Sequence, residues 1–281
     1  MGQISLVGAG AVRALPHRNR KCGDATPEHS AAPEKYFALY DPERLKPRYG
    51  PPEHVDAIPA IATGMRPAAR KLPTDRPGDT IAAYYAAITF MDAQVGRLLD
   101  TLDRLKLWDN TVVVFQSDHG YHLGEHGGLW HKQSLFEEGV RVPLIVAAPG
   151  KQPAVSPGLV ELVDIYPTLA ELSGLPLPDG LEGTSFAPLL STPNRKWKKA
   201  VFTVVARWRS AENRAIDVGN IGRSVFDGRW RYTEWPDGSA ELYDHNRDPL
   251  EYANLAPKAE HRAQLKTMQA VLRGGWKEAR P

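Results

Sequence analysis

The chain has 281 residues, of which 42% are hydrophobic and 24% are charged, proportions that are ordinary for a globular protein with one large core or two modest ones. The net charge of +2 and the lack of a long Lys/Arg run give no reason to expect a nucleic-acid partner. The single cysteine, Cys22, excludes an internal disulfide and leaves the redox compartment open. No apolar stretch is long enough to cross a bilayer, so we expect no membrane partner.

Residues 1–31 carry only weak signals. The apolar patch at residues 4–12 is not preceded by a basic residue, which makes it a poor secretory signal. Leu6 occupies the position where a myristoylation signal needs Ser or Thr. Gly8-Ala9-Gly10 partly matches a dinucleotide-binding fingerprint, but Arg13 replaces the third glycine. We therefore predict that residues 1–31 are poorly structured or wrongly assigned to this chain.

The pattern sharpens after a proline-rich and charged stretch. Residues 32–77 lack a sustained period, which predicts a long surface excursion. From Asp79 onwards, apolar residues recur at spacings of three and four, as in an amphipathic helix with one stripe facing a sheet. The stripe consists of Ile81, Tyr84, Ile88, Met91, Val95, Leu98, Leu102 and Leu105.

The next segments alternate between strand and helix. The run Thr111–Gln116 is β-branched and apolar without interruption, which is typical of a strand buried on both faces in a parallel sheet. Residues 134–138 resemble a short helix, residues 142–147 a second strand, and residues 159–173 a helix that ends at Gly174. This order predicts an α/β layered sheet.

Composition changes again near Pro193. Short strand candidates follow at residues 201–206, 222–226, 230–234 and 241–243. Two Asp-Gly pairs separate the later ones and predict hairpin turns. A last helix at residues 257–272 would pack on this small antiparallel sheet. We place one domain at residues 32–193 and a C-terminal subdomain at residues 194–281.

The loop after the strand Thr111–Gln116 contains the candidate metal-binding and substrate-binding residues. Four of the nine histidines lie between His119 and His131, and four glycines accompany them. In α/β sheets, ligands bind beyond the carboxyl ends of the strands, where Asp118 and His119 lie. A carboxylate and an imidazole there could bind a metal, and Lys132 could return as a fixed charge for an anionic substrate. The alternative is that Asp118 only caps the next segment and the histidines are solvated.

A second alternative lies in the same loop. The segment from His122 to His126 fits the H-x-x-E-H pattern of inverted zinc peptidases, which needs a helix to put both histidines on one face. The surrounding glycines argue against that helix, since each costs about 1 kcal/mol relative to alanine.

Several segments, in order, resemble the type I sulfatases, particularly the iduronate-2-sulfatase-like branch. They are AYYAAITFMDAQVGRLLDTLDRLKLWDNTVVVF, FQSDHGYHLGEHGGLWHKQSLFEEGVRVPLIVAAPG, VELVDIYPTLAELSGLPLPDGLEGTSFAPLL and GRSVFDGRWRYTEW with ELYDHNRDPLEYANLA. The resemblance implies an alkaline-phosphatase-like α/β/α sandwich plus a small C-terminal antiparallel subdomain. It implies that Asp118 and His119 bind a divalent metal, usually calcium, and that Lys132 contacts the sulfate. Chemistry alone leaves manganese and zinc level with calcium, because His119 offers nitrogen.

The family nucleophile is missing from this sequence. It is a formylglycine made from Cys or Ser in a C/S-x-P-x-R motif, whereas Cys22 is followed by Asp24 and Thr26 at the proline and arginine positions. The pair of metal-binding aspartates on the family's first strand has no counterpart either. The chain thus resembles the C-terminal part of a sulfatase, which predicts a sulfuric ester hydrolase that is inactive or incomplete as given.

Two other functions stay open at this point. One is a phosphoester or phosphonate hydrolase of the same superfamily, and the other is a non-catalytic remnant or binding protein. The implied ligand is a sulfated small molecule or glycan. Family members are often periplasmic, secreted or lysosomal, and neither the compartment nor the oligomeric state follows from the sequence.

Overall fold

The structure is a computed structural model that describes residues 3–8, 32–63, 75–208 and 216–281. Most of residues 1–31, including Cys22 and Arg13, lie outside this description. Within it, Gln3–Gly8 forms strand β1. The prediction of a poorly structured N-terminus therefore concerns residues of which little is described.

A three-stranded mixed sheet carries the histidine-rich loop. Strand β1 pairs in parallel with β2 (Thr111–Gln116), and β2 pairs antiparallel with β3 (Leu144–Ala147). The expectation of parallel strands is correct for β1 and β2 but wrong for β3. The loop after β2 returns to the same edge of the sheet, and a chain that re-enters from that edge must run antiparallel.

Helix α3 (Pro77–Leu105) confirms the predicted amphipathic helix over 29 residues. It begins with proline at its first position and ends at Lys106, whose φ of 53° stops the helix. Ile81 is buried, but Ile88, Leu98 and Leu105 are 44%, 51% and 51% exposed, so the described residues do not cover the whole stripe. Neither α3 nor any other helix in the described ranges is long and apolar enough to cross a membrane.

Residues 32–63 pack into the molecule at a few points, although many of them are exposed. They form α1 (Glu34–Phe37), a 3-10 turn (Pro42–Arg44) and α2 (Pro52–Ala57). Ile58 and Ala62 are buried in one apolar cluster with Leu129, Leu135, Phe136, Trp235 and Tyr243. The predicted surface excursion is therefore wrong for the part around Ile58 and Ala62, whereas much of the segment is exposed. Hydrophobic period fails to detect such a segment because single buried residues follow no repeat.

Two short elements and one helix complete the first layer. The histidine-rich loop contains single helical turns, α4 (Glu125–Gly128) and α5 (Glu137–Val140), the latter a few residues later than predicted. Helix α6 (Ile165–Leu172) follows β3, and its Leu169 packs against Val112 and Val114 of β2. The core of this layer therefore lies directly under the strand that leads to the loop.

The C-terminal part is a four-stranded antiparallel sheet in the order β4-β5-β6-β7, with bounds Val201–Trp208, Ile216–Phe226, Trp230–Glu234 and Ala240–Asp244. The Asp-Gly pairs turn the chain as predicted, with φ of 96° at Gly228 and 85° at Gly238. Helix α7 (Arg262–Ala279) packs on the sheet through the fully buried Met268. It starts and ends later than the predicted helix at 257–272.

Candidate active site

Strand β2 delivers Asp118 and His119 to the edge of the first sheet. Val112 and Val114 anchor the strand in the core, with exposed fractions of 7% and 2%. Just beyond it, the hydroxyl of Ser117 donates a hydrogen bond to the carbonyl of His119 at 2.7 Å. This contact closes the turn, so the next two side chains start from a fixed backbone.

The side chains of Asp118 and His119 converge. Nδ1 of His119 lies 2.8 Å from the carbonyl oxygen of Gly120, and a carbonyl only accepts, so Nδ1 carries the hydrogen. The lone pair is then on Nε2, which lies 3.5 Å from a carboxylate oxygen of Asp118. Histidines that bind metals usually donate their other ring N–H in this way. The two side chains are 77% and 34% exposed, so an ion could reach both.

The loop from Gly120 to Gly139 folds back on itself as a narrow hairpin. Backbone hydrogen bonds join Gly120 N to Gly139 O at 3.0 Å, and His122 N to His131 O at 2.9 Å. Lys132 follows His131 directly, so its backbone runs beside the segment that leaves Asp118. Its side chain is exposed and makes no ion pair with the described residues. That Lys132 and Asp118 share one crevice stays a prediction.

Beneath this hairpin lies a cluster of buried imidazoles. His54, His122 and His126 are at most 1% exposed. Nε2 of His122 is 2.6 Å from the Ser134 hydroxyl, and Nδ1 of His126 is 2.8 Å from Nε2 of His54. Burial, with a smaller contribution from neighbouring histidines, lowers the pKa of His122 to about 2 and that of His54 to about 4. The alternative that the histidines of the loop are solvated is wrong for His122 and His126.

The geometry excludes the inverted peptidase pattern. Residues Glu125–Gly128 form one turn only, and inside it His126 and Gly127 have φ values of 51° and 78°. The helix that would align His122 with His126 is thus absent from this described segment. Both rings are also inaccessible to a peptide substrate.

Two side chains hold the loop in place, one from the end of the loop itself and one from the C-terminal sheet. Glu138 binds Nε2 of His126 at 3.0 Å. Arg207 of β4 donates to the carbonyl of Gln133, next to Lys132, at 2.7 Å. Sequence reasoning missed both of them, and His54 too, because each lies in a segment with no local motif and acts through tertiary contacts.

Comparisons with known proteins now decide the family. Residues 20–175 match the family model described as sulfatase, which is more than half of the chain. The chain belongs to the sulfatase family. Residues 124–277 also match the model described as N-sulphoglucosamine sulphohydrolase, C-terminal.

Among curated proteins, the choline-sulfatase of Rhizobium meliloti is 36% identical over 177 residues, covering 62% of this chain and 32% of the relative. The chain spans about a third of the length of such relatives. Among solved structures, a protein in complex with its substrate D-glucosamine-2-N,6-O-disulfate has a TM-score of 0.65 at 26% identity, covering 73% of this chain and 42% of that one. The phosphonate monoester hydrolase of Silicibacter pomeroyi reaches 0.79 at 24% identity, covering 90% and 54%. These likenesses confirm the predicted alkaline-phosphatase-like fold.

Proposed function

We propose that this chain forms the metal-binding and sulfate-binding part of a sulfatase, a metal-dependent sulfuric ester hydrolase. Asp118 and His119 would bind the divalent metal, and Lys132 would bind the sulfate. The observation that carries the proposal is the convergence of the Asp118 carboxylate and His119 Nε2, 3.5 Å apart, after a central strand of a sulfatase-family chain. Both side chains are partly exposed, as ligands of a reacting metal must be.

The metal that we propose is calcium. One carboxylate and one imidazole are two of the about six to eight ligands that calcium takes, so other groups must complete the set. The Nε2 nitrogen of His119 is a softer ligand than calcium prefers, and manganese is the nearest competitor. When bound, such an ion holds and polarises sulfate oxygens. Lys132 would then offset negative charge that develops on the ester oxygens in the transition state.

We further propose that the chain as given does not hydrolyse sulfate esters alone. In the family, the sulfate sulfur is attacked by a formylglycine, which needs the C/S-x-P-x-R motif. Cys22 has Asp24 and Thr26 in place of the proline and arginine, and it lies outside the described residues. The iduronate-2-sulfatase-like branch is the subtype that the motif from Asp118 to Lys132 supports.

The substrate class that we propose is a sulfated small molecule or glycan. Support comes from the relatives: one is a choline-sulfatase and another is solved with a disulfated glucosamine as its substrate. A phosphonate or phosphoester hydrolase is the second candidate, since the phosphonate monoester hydrolase gives the TM-score of 0.79. At 24% identity that likeness supports the fold and leaves the reaction open.

Calcium titration tests the metal assignment. We expect weak binding, with a dissociation constant of about 1 mM or above because few ligands are present. Asp118→Asn should abolish it, whereas Asp92→Asn, at an exposed site on α3, should leave it unchanged. Equal calcium binding by both variants would refute the role of Asp118.

Incubation with calcium and a chromogenic aryl sulfate or phosphonate monoester tests competence. We expect no turnover of either ester by the chain alone. Turnover that Lys132→Ala abolishes and Cys22→Ala leaves intact would show a nucleophile elsewhere in the chain. A preference for the phosphonate would favour the second candidate.

A further inference from the structure

Two buried histidines and one half-buried glutamate bring ligand atoms close together at a place separate from the proposed calcium site. His122, His126 and Glu138 each offer one atom, and these atoms lie within 4.8 Å of one another. Both rings are 0% exposed, and the Glu138 side chain is 20% exposed. The group lies inside the hairpin, whereas Asp118 and His119 lie at its exposed start.

His122 presents a nitrogen that has no partner among the described residues. Its Nε2 is held by the Ser134 hydroxyl at 2.6 Å, which fixes the ring. Its Nδ1 is buried without a hydrogen bond. An orphaned buried polar atom is costly and rare in native proteins, so such an atom points to an unplaced partner.

His126 is oriented from both sides. Its Nε2 faces Glu138 at 3.0 Å, and its Nδ1 faces Nε2 of His54 at 2.8 Å. The ring of Phe136 stacks on it with a centroid separation of 3.8 Å. The backbone of His126 has a φ of 51°, which is unusual for a residue with a side chain. A ring held this firmly at a strained position is typical of a functional residue.

Glu125 supplies a second carboxylate. Its Oε2 accepts a hydrogen bond from Leu123 N at 2.6 Å and lies 3.8 Å from the orphaned Nδ1 of His122. Ligand atoms about 3.3 Å apart surround a tetrahedral zinc with bonds of about 2.0 Å. Only small side-chain movements would therefore bring His122 and Glu125 onto one ion.

We propose that His122, His126, Glu138 and Glu125 form a structural zinc site. Three of these residues already have ligand atoms within 4.8 Å of one another, and Glu125, 3.8 Å from His122 Nδ1, would move in to complete a closed tetrahedral site. Calcium fits this set poorly, because it needs more ligands and prefers oxygen. The ion would tie the outgoing strand and the tip of the hairpin to α5 and so fix the loop that bears Lys132. This role is independent of the proposed hydrolysis.

The protons can be followed through the change. Without zinc, Nε2 of His126 carries a hydrogen that it donates to Glu138, and Nδ1 accepts from His54. With zinc on Nε2, the hydrogen of His126 moves to Nδ1 and is donated to Nε2 of His54. The hydrogen of His54 moves in turn from Nε2 to Nδ1, so both rings stay neutral and no proton is released.

A second group, Glu137, His245 and Glu251, serves as the internal comparison because its ligand atoms are also within 4.8 Å of one another. There the guanidinium of Arg231 already binds both Glu137 and Glu251. Because the Arg231 guanidinium already balances the charge of both carboxylates, this group does not need a metal ion. Substitution of His245 should therefore not affect zinc.

The test uses the purified chain, from which a chelator first removes bound metal; zinc binding is then measured by equilibrium dialysis. We expect one zinc per chain, and cobalt(II) in its place should show the intense visible bands of four-coordinate geometry. His122→Gln, whose amide can still reach Ser134, and Glu138→Gln should each weaken zinc binding by about 100-fold or more. His245→Gln and Asp118→Asn should leave it within about 3-fold of the wild type.

Several results would overturn the proposal. One is a folded wild-type chain, shown by circular dichroism, that binds no zinc in a 1:1 ratio. Another is equal zinc affinity in His122→Gln and the wild type. Loss of zinc in Asp118→Asn but not in Glu138→Gln would assign the ion to the exposed pair instead. If one variant does not fold, the other still decides, because they change different ligands.

Discussion

Arg207 joins the C-terminal sheet to the histidine-rich loop, and its removal should measurably destabilise the protein. The side chain is 5% exposed and donates to the carbonyls of Ile61, Ala62 and Gln133 at 2.9, 2.5 and 2.7 Å. Its guanidinium also lies 4.8 Å from the centroid of the Trp235 ring. The perturbation that we choose is Arg207→Met, which keeps the aliphatic stem and removes the charge and all five donors.

The magnitude follows from two opposing contributions. Hydrogen bonds from a charged donor are worth about 1.5–3 kcal/mol each, so three contribute about 5–9 kcal/mol. Burial lowers the pKa of Arg207 to about 10, which corresponds to roughly 3 kcal/mol of cost for keeping the cation buried. The hydrogen bonds therefore contribute more than the burial of the cation costs. We expect the free energy of unfolding to fall by about 3 kcal/mol in Arg207→Met.

Urea unfolding followed by circular dichroism measures the loss. With a slope of about 3 kcal/mol per molar, the midpoint should drop by about 1 M. The matched control is Arg141→Met, since Arg141 is 80% exposed and makes one ion pair with Glu137 at 3.3 Å. Such surface pairs contribute at most about 1 kcal/mol. If both variants unfold at the same urea concentration, the three carbonyl contacts do not stabilise the fold as argued.

The remaining predictions concern pH and two glycines. Below about pH 6.5, His54 and His122 are neutral in the folded chain and each gains a proton on unfolding. Glu241 acts in the opposite direction: burial raises its pKa to about 7, so above about pH 4.5 it loses a proton on unfolding. Unfolding between pH 6 and pH 5 therefore takes up about one proton in total, so the free energy of unfolding should fall by about 1.4 kcal/mol as the pH is lowered from about 6 to 5. Urea midpoints that do not change with pH would contradict this. Gly120→Ala should destabilise strongly, because its Cβ would lie 1.8 Å from a backbone carbonyl oxygen. Gly96→Ala, with nothing within 4 Å in the middle of α3, should instead stabilise by about 0.5–1 kcal/mol in the same assay.

Elements with a strong local period could be predicted from the sequence. The stripe from Ile81 and the β-branched run at Thr111–Gln116 specify α3 and β2, and the Asp-Gly pairs specify two hairpins of the second sheet. The direction of β3 could not be predicted, because an apolar run indicates burial but not the edge from which the chain re-enters the sheet. The burial of Ile58 and Ala62 could not be predicted either, because the residues that they pack against lie far along the chain.

The candidate site divides in the same way. Asp118 and His119 were found because a strand end followed by polar residues is a local signal. His54 was missed, since nothing near it in the sequence marks a residue that binds His126 across 72 positions. The role of Lys132 stays a prediction, because its exposed side chain makes no hydrogen bond or ion pair with the described residues that would fix its direction.

The contacts between the two layers bear on the boundary predicted near Asn194, which itself stays a prediction. Lys198 binds the buried Asp164 at 2.7 Å, and Arg231 binds Glu251 at 2.5 Å and also Glu137. Removing one partner of a buried ion pair costs about 3–5 kcal/mol, because a charge is left unpaired in the interior. A cut at residue 194 would break such pairs at two places and would also expose the apolar cluster that residues 32–63 share with the second sheet. The histidine-rich loop, which contains Glu137, therefore depends on the C-terminal sheet for its order. The two parts should unfold in one transition rather than as separate domains.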